Sequence, residues 1–347
     1  MIMAFRRGAA VFVALGIIAS ATNAQSPAFE IKQVPSLAAY PVDRIKPSTI
    51  VFAASAQDPT ANPTAGLIQF DEWARTRPDE KLLLGLYPDY AERTVARKVG
   101  GVTQRYPNKL TMYVAEARFT LRRAPALADL ARFATLAFAE QIDPAIKHRL
   151  ISSAEVTPPT NQRFAHNQNP ARPWCTGPAV ACLRSHYRLE GKLPLGIQLA
   201  NKLRDADKKI ADYLEFDSEL AVRAPEALDL AAVTRLTQIN SPIIGVLEQT
   251  TFHVNQILQF AKFYVVFQGH PSDPNKAVVT AFFTLAIESR LLDSKKEYAR
   301  VPVLRNLVPI QVLMGKSSFN TGTSISAGLP NYARSRIRAV AGILDGG

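Results

Sequence analysis

Residues 256–292 read QILQFAKFYVVFQGHPSDPNKAVVTAFFTLAIESRLL, and this stretch decides the predicted fold class. Two apolar runs, residues 256–268 and 277–292, flank the polar segment GHPSDPNK. Both runs are rich in β-branched and aromatic residues, which favour strands, and Pro271 and Pro274 cannot serve a central ladder of hydrogen bonds. The stretch therefore predicts an antiparallel hairpin whose long tip carries the two prolines.

Further strands and helices are predicted around this hairpin. Helical spacing of apolar residues appears in 126–148 and 195–213, and helical propensity in 71–86. Asp143-Pro144 is expected to end or kink the first of these helices. A helix is also left open for residues 109–121, which otherwise favour a strand. The strand-like runs are residues 48–54, 109–121, 183–189, 214–222 and 307–314.

The last predicted helix follows the corner Gly328-Leu329-Pro330, where glycine permits the turn and proline presets φ for the first helical position. An antiparallel sheet with such a corner and helix resembles the helix-grip arrangement of START-like lipid-binding domains, over residues 183–347. The expected fold is α+β: an antiparallel sheet packed against a long C-terminal helix, with a mixed, more helical N-terminal part. The predicted apolar face of the helix carries Ala333, Ile337, Val340 or Ala341, and Leu344.

Composition divides the chain into four predicted segments. Residues 1–24 place two arginines before a short apolar run and small residues, as in a secretory signal peptide cut near Ala21 or Ala24. This predicts a periplasmic or secreted protein without a transmembrane segment after cleavage, since no later apolar run reaches a spanning length. The other segments are a mixed α/β region (25–156), a Pro- and Asn-rich linker or loop (157–182) and an α+β domain (183–347).

Cys175 and Cys182 are the two cysteines of the chain, and they flank a short stretch that contains glycine and proline. In an exported protein a disulfide is the simplest interpretation. Two free thiols are an alternative, and a metal is disfavoured because two cysteines alone cannot close a tetrahedral zinc site. No metal and no cofactor are predicted, since the G-x-G-x-x-G, G-x-x-x-x-G-K-[ST] and C-x-x-C motifs do not occur.

The chain is basic, with a formal net charge of +12. Loss of two arginines with the signal peptide leaves 39 basic against 29 acidic residues, a net charge of +10. Such an excess favours anionic surroundings, for example phospholipid headgroups or acidic cell-wall polymers. Nucleic acid is not expected, because an exported protein rarely meets it. Colloidal solubility without a specific partner is the alternative, and the oligomeric state is left open.

Three carboxylates, Glu215, Asp217 and Glu219, would project from one side of the strand predicted at 214–222, because strand side chains alternate. Such a group could bind calcium or serve acid–base chemistry together with a histidine from elsewhere in the chain. A periplasmic hydrolase or lyase is therefore an alternative function. The simpler interpretation is a solvated face, with the intervening residues turned inward: Leu214, Phe216, Ser218 and Leu220.

The aromatic residues of the hairpin suggest the first functional hypothesis. It is a non-enzymatic binding protein of the cell envelope that holds an apolar or amphipathic ligand, lipid-like and anionic, between sheet and C-terminal helix. Plain core packing is the alternative role of these aromatics, and a structural envelope-assembly protein is the third hypothesis. No catalytic residue is assigned. The predicted pocket lining is Phe263, Tyr264, Phe283 and Tyr332, and Arg334 and Arg338 are predicted to meet an anionic headgroup or membrane surface.

Overall fold

The computed structural model describes residues 29–53, 68–69, 73, 93–99, 102–108, 110–156, 174–176, 180–188, 202, 213–254, 258–288 and 336–345. Its strands are β1 Glu30–Val34, β2 Thr49–Ala53, β3 Ile68–Gln69, β4 Arg93–Val99, β5 Val102–Asn108, β6 Leu110–Leu121, β7 Lys147–Leu150, β8 Val180–Arg188, β9 Tyr213–Arg223, β10 Ile243–Val254, β11 Leu258–His270 and β12 Asp273–Glu288. Its α-helices are α1 Leu127–Leu130, α2 Leu136–Ile142, α3 Leu230–Thr237 and α4, residues 336–345. Short 3-10 helices cover Val42–Arg44, Ala131–Phe133, Ser153–Glu155 and Pro225–Ala227.

Ten of these strands form one sheet. The order is β1-β2-β6-β12-β11-β10-β9-β8-β7, and β3 also pairs with β6. β1 and β2 are parallel, and the other described pairings of this sheet are antiparallel. β4 and β5 form a separate antiparallel pair. The described part of the chain is therefore a large mixed sheet with few helices.

The predicted hairpin is confirmed, because β11 and β12 pair antiparallel along their length. The predicted long tip is wrong: His270 already pairs with Asp273, which leaves a tight turn between the strands. Pro274 is tolerated because the ladder shifts at this point. The next pair along the ladder is Gly269 with Ala277, so no residue of β11 is paired with Pro274. The lack of a backbone N–H at Pro274 therefore removes no hydrogen bond from this ladder.

Strands from both predicted halves of the chain belong to the same sheet. β6 and β7 precede the predicted linker (157–182), yet they pair with β12 and β8, which follow it or begin at its end. The linker therefore does not separate two sheets. The expected more helical N-terminal part is wrong for the described residues, because the runs before residue 157 pair as seven strands and contribute two short α-helices.

The helix predicted at 126–148 is broken into shorter pieces. Thr135 has an extended backbone (φ −132°, ψ 158°), and its hydroxyl accepts a hydrogen bond from the backbone N–H of Phe138 at 3.3 Å. A threonine in this position caps a new helix instead of continuing the old one. α2 ends before Asp143-Pro144, as predicted, and the chain then enters strand β7 at Lys147.

Both faces of the sheet are buried at its central strands. The side that carries Phe263, Val265 and Phe267 is covered by α1, α2 and α4 and is termed the α4 face. The opposite side carries Tyr264 and Val266, is covered by α3 and by residues 34–45, and is termed the α3 face. A strand buried on both sides needs apolar residues at successive positions. This explains why β11 has a nearly continuous apolar run.

Helix α4 packs on the α4 face through the predicted stripe. Ile337, Val340 and Ala341 are buried there, and Leu344 packs beside them. Full burial of an aliphatic side chain such as Ile337 or Val340 stabilises by roughly 1.5–3 kcal/mol. The sheet-plus-helix arrangement is thus confirmed, and the described part of the helix covers residues 336–345.

Several predicted elements lie outside the described residues. These are the signal peptide, the strand at 307–314, the corner at 328–330 and most of the helices at 71–86 and 195–213. Conversely, α3, β10 and the β4–β5 pair were not predicted. Among the described residues, no helix has the length and hydropathy required to cross a membrane.

Candidate ligand site under helix α4

A small cavity lies between the α4 face of the sheet and the helices that cover it. Its volume is ≈ 10 Å³, measured as the space open to the centre of a water molecule, and this is about what one water requires. The cavity is therefore nearly filled by protein in this conformation. Its walls are mostly apolar and come from residues 133–142, the sheet and α4: Phe133, Phe138, Ile142, Leu220, Leu247, Gln249, Phe263, Arg336 and Val340.

Arg336 brings a buried charge to this cavity. The residue is 8% exposed, and its partner Asp143, at the end of α2, is 2% exposed. The Nη1 of Arg336 donates to Oδ2 of Asp143 at 2.6 Å, and its Nη2 donates to Oε1 of Gln249 at 2.6 Å. This ion pair carries no net charge, and it joins α4 to the end of α2 and to β10.

The polar contacts continue from Arg336 along the α4 face. The guanidinium carbon lies 5.8 Å from the centroid of the Phe263 ring, within the range of a cation–π contact. Nε2 of Gln249 donates to Oγ of Ser218 at 3.4 Å. Arg336, Asp143, Gln249 and Ser218 are termed the polar cluster. An apolar wall with a few convergent polar groups is the usual composition of a small-molecule site.

His148 of β7 lies near the polar cluster without adding a charge to it. Its Nδ1 is 2.7 Å from Oγ of Ser185, a fully buried residue of β8. Burial lowers the pKa of His148; the carboxylate of Asp143 opposes this shift, and the guanidinium of Arg336 adds to it. Since the net direction is downward, the neutral imidazole is favoured at neutral pH.

The structure brings together two of the predicted lining residues. Phe263 lines the cavity, and its ring centroid is 5.9 Å from that of Phe283 on the same face. Tyr264 belongs to the α3 face, because consecutive residues of a strand point to opposite sides; the expectation that it shares a pocket with Phe263 is corrected. Arg338 is exposed on α4. Tyr332 and Arg334 lie outside the described residues.

The sequence analysis did not assign Arg336, Asp143 or Gln249 to the site. A signal for Arg336 was present, because residues four apart in a helix share a face, and Arg336 precedes the apolar Val340 by four. Nothing comparable marks Asp143, which appeared only as a helix terminator, or Gln249, which lies in a strand that was not predicted.

Two of the three predicted carboxylates are not solvated. Asp217 and Glu219 are 0% and 5% exposed, so the expectation of a wet face is wrong. Asp217 accepts two hydrogen bonds from the guanidinium of Arg184, at 2.8 Å from Nε and 3.0 Å from Nη2. Oε1 of Glu219 accepts from the backbone N–H of Cys175 at 2.6 Å. Burial of Asp217 on this face is tolerated because the register of β8 with β9 places Arg184 opposite it.

Glu215 is the partly exposed member of this row. Its Oε2 lies 3.6 Å from Nδ1 of His186, the residue opposite it on β8. The three carboxylates therefore share one face, as predicted, but Asp217 is engaged as a structural ion pair with Arg184. The hydrolase or lyase hypothesis stays a prediction.

The disulfide between Cys175 and Cys182 is confirmed, with the two Cα atoms 5.6 Å apart. It ties residues 174–176 to strand β8. Cys175 has a left-handed φ of 61°, an uncommon conformation for a residue with a side chain. A carboxylate oxygen of Glu219 lies within 4.8 Å of both sulfur atoms, but sulfurs that are bonded to each other are not thiolate ligands for a metal.

Comparisons with known proteins do not identify a family. No protein-family model and no curated protein matches the sequence. Matching solved structures include Ara h 8.0201, with a TM-score of 0.30 and 10% identity over 68% of this chain and 99% of that chain. The Zhui aromatase/cyclase from Streptomyces sp. R1128 gives a TM-score of 0.27 and 12% identity over 66% and 98%. Human STARD10 gives 0.26 and 5% over 69% and 82%. Likenesses at these TM-scores establish neither the fold nor the function of this chain.

Proposed function

We propose that this chain is an exported binding protein that holds an apolar or amphipathic ligand between the α4 face of the sheet and helices α1, α2 and α4. The observation that carries the proposal is the buried Arg336–Asp143 pair, whose arginine lines a mostly apolar cavity. A buried ion pair gives no more stability than apolar packing of the same volume. Its place in this core is therefore better explained by recognition of a polar group on a ligand.

Ligand entry requires the cavity to enlarge. Small-molecule sites measure about 300–1,000 Å³, and the present cavity has a volume of ≈ 10 Å³. Residues 127–142 are the wall best suited to move, because they form helices of only four and seven residues joined by a 3-10 turn. The opposite wall is held by the hydrogen-bonded ladders of the sheet.

Export is part of the proposal. The arginine-led apolar segment at residues 1–24 has the layout of a cleaved signal peptide. The disulfide between Cys175 and Cys182 supports an oxidising compartment. The mass of the mature chain, purified from the native compartment, would show a cut near Ala21 or Ala24 if this is correct.

An anionic membrane surface is the second proposed contact. Arg338 is exposed on α4, two residues from the buried Arg336, and the basic net charge favours anionic surroundings. We expect Arg338→Glu to weaken binding to vesicles that contain an anionic phospholipid. Unchanged binding of this variant would remove the proposed role of Arg338.

Mass spectrometry of an organic extract of the freshly purified protein, with a native mass of the untreated sample, tests ligand binding directly. A stoichiometric amphiphile is the expected result. An empty protein that carries a metal would favour the hydrolase hypothesis, and one that co-purifies with a protein partner would favour envelope assembly.

A pair of variants locates the site. Leu247 and Val246 are consecutive residues of β10, and they face the cavity and the α3 face, respectively. Leu247→Phe adds bulk in the cavity and Val246→Leu adds bulk on the other face, each an overpacking change that costs about 1–3 kcal/mol. We expect only Leu247→Phe to reduce uptake of the neutral fluorescent probe N-phenyl-1-naphthylamine. An equal effect of both variants would refute this location.

A further inference from the structure

We propose that the polar group which the ligand places in the cavity is uncharged, such as a hydroxyl, carbonyl or amide oxygen. This inference rests on the proposed function, since it concerns the same cavity under α4. It replaces the anionic head group expected from the sequence by a neutral one inside the cavity, and it sets fatty alcohols, esters or amides apart from fatty acids, phosphates and alkyl amines.

The charge balance of the cavity wall carries the argument. Among the described residues that line it, Arg336 is the one with a formal charge. Its guanidinium is already neutralised by Asp143, whose Oδ2 is 2.6 Å from Nη1. The imidazole of His148 nearby is held toward its neutral form by burial. A ligand head group therefore meets a wall without net charge.

An anionic head group would be disfavoured in this wall. To replace Asp143 as the counter-ion at Nη1 of Arg336, it would have to displace a carboxylate that is 2% exposed. A buried charge that loses a counter-ion at such a site is strongly penalised. If the anion instead bound beside the intact pair, it would itself be a buried third charge. The same reasoning applies to an ammonium group, which would compete with Arg336 for Asp143.

A neutral oxygen or N–H group can be accommodated without breaking the ion pair. The contact between Nε2 of Gln249 and Oγ of Ser218 is 3.4 Å long, beyond the usual range of an N–H···O hydrogen bond. It is therefore the weakest link of the polar cluster. A ligand hydroxyl or carbonyl could accept from the Gln249 amide in place of Ser218, while the apolar remainder of the ligand contacts rings such as Phe263 and Phe138.

A matched pair of ligands tests this inference on the full mature protein. Dodecanol and dodecanoate have the same chain length, and at pH 8 the carboxylate is fully ionised. Each is used to displace N-phenyl-1-naphthylamine from the wild-type protein. We expect dodecanol to displace the probe at a concentration at least about tenfold lower than dodecanoate, a difference of about 1.4 kcal/mol.

Removal of the counter-ion should invert this preference. In Asp143→Asn the guanidinium of Arg336 has no carboxylate partner at this position, and a ligand carboxylate can take its place. The ratio of the two displacement constants should shift toward dodecanoate by about tenfold or more. Asp345→Asn is the matched control, since Asp345 lies on α4, like Arg336, but pairs with the exposed Arg122. The double variant Asp143→Asn, Arg336→Gln removes both charges and should restore the preference for dodecanol.

The outcomes separate the inference from the proposed function. If neither probe nor ligands bind the wild-type protein, the proposed function fails and the inference fails with it. If they bind but dodecanoate is preferred, or if Asp143→Asn leaves the ratio unchanged, the inference alone is overturned. Circular dichroism establishes that each variant is folded. If Asp143→Asn does not fold, the double variant Asp143→Asn, Arg336→Gln is compared with the wild type. Weaker binding of dodecanoate by the double variant, with unchanged binding of dodecanol, would show that Arg336 attracts anions and would overturn the inference.

Discussion

Removal of one partner of the Arg336–Asp143 pair should destabilise the protein far more than removal of both. The two side chains are 9% and 3% exposed, and their charged atoms are 2.6 Å apart. At an effective dielectric constant of about 20, unit charges at this separation attract each other by about 6 kcal/mol. Desolvation of the two ions costs several kcal/mol each. The terms nearly cancel for the pair, but an ion left alone keeps its desolvation cost.

Asp143→Ala is therefore expected to lower the free energy of unfolding by about 3–5 kcal/mol. The double variant Asp143→Leu, Arg336→Met removes both charges and keeps much of the volume, so it should lie within about 2 kcal/mol of the wild type. The residual loss would come mainly from Gln249, whose Oε1 loses its donor when Arg336 is replaced.

Urea-induced unfolding of the disulfide-bonded protein, followed by circular dichroism, measures these differences, provided that the slopes with urea are equal. Asp345→Ala serves as a control on α4, the helix of Arg336. The side chain of Asp345 is 5% exposed, but its partner Arg122 is 68% exposed and 3.9 Å away. Water can therefore take the place of the carboxylate at Arg122, including its hydrogen bond from the Arg122 backbone N–H, so the expected loss is about 2 kcal/mol or less. A double variant as unstable as Asp143→Ala, or a single variant that loses less than about 1 kcal/mol, would refute this reasoning.

Two further predictions concern other parts of the fold. The backbone N–H of Ser152 and the guanidinium of Arg149 lower the pKa of Glu155 from 4.5 to about 2. The resulting stabilisation is complete above pH 4.5 and is lost as the pH falls toward 2. Glu155→Gln should therefore show a smaller decrease of Tm over this interval than the wild type. Equal decreases would contradict that assignment. Replacing both Cys175 and Cys182 by serine should lower the free energy of unfolding by about 2.5 kcal/mol or less, because the loop is short. The urea midpoint of this variant should not depend on dithiothreitol. A wild-type midpoint that is also independent of the reductant would contradict a stabilising disulfide.

The hairpin was predictable because its two strands carry their signal locally. β11 and β12 are apolar at successive positions, since both faces of the sheet are covered, and prolines mark the turn between them. The division of the chain was not predictable in the same way. Pairing of β6 with β12 joins residues far apart in sequence, and a single sequence contains no local sign of which distant strands meet.

Strand β10 shows a second limit of local patterns. Its segment IIGVLEQTTFHV alternates poorly, because Glu248 lies on one buried face and Gln249 on the other. Both residues have partners on other elements. Glu248 pairs with Lys262 of β11 and with Arg223 of β9, and Gln249 accepts from Arg336 of α4. Burial raises the pKa of Glu248, but these two cations outweigh it and lower the pKa overall. Because of such buried polar residues, the hydropathy pattern of this central strand resembles that of a solvent-exposed segment.

The polar cluster joins residues that are distant in sequence. Arg336 and Asp143 are 193 residues apart in sequence, and each comes from an element that covers the α4 face of the sheet. A ligand in the cavity would contact the α1–α2 segment and α4 together. Its binding free energy would therefore add to the free energy that holds both elements on the sheet. Ligand binding would therefore stabilise the contact between these elements, to which the buried ion pair alone contributes little net free energy. The empty protein would accordingly be the less stable form, with residues 127–142 as its weakest attachment.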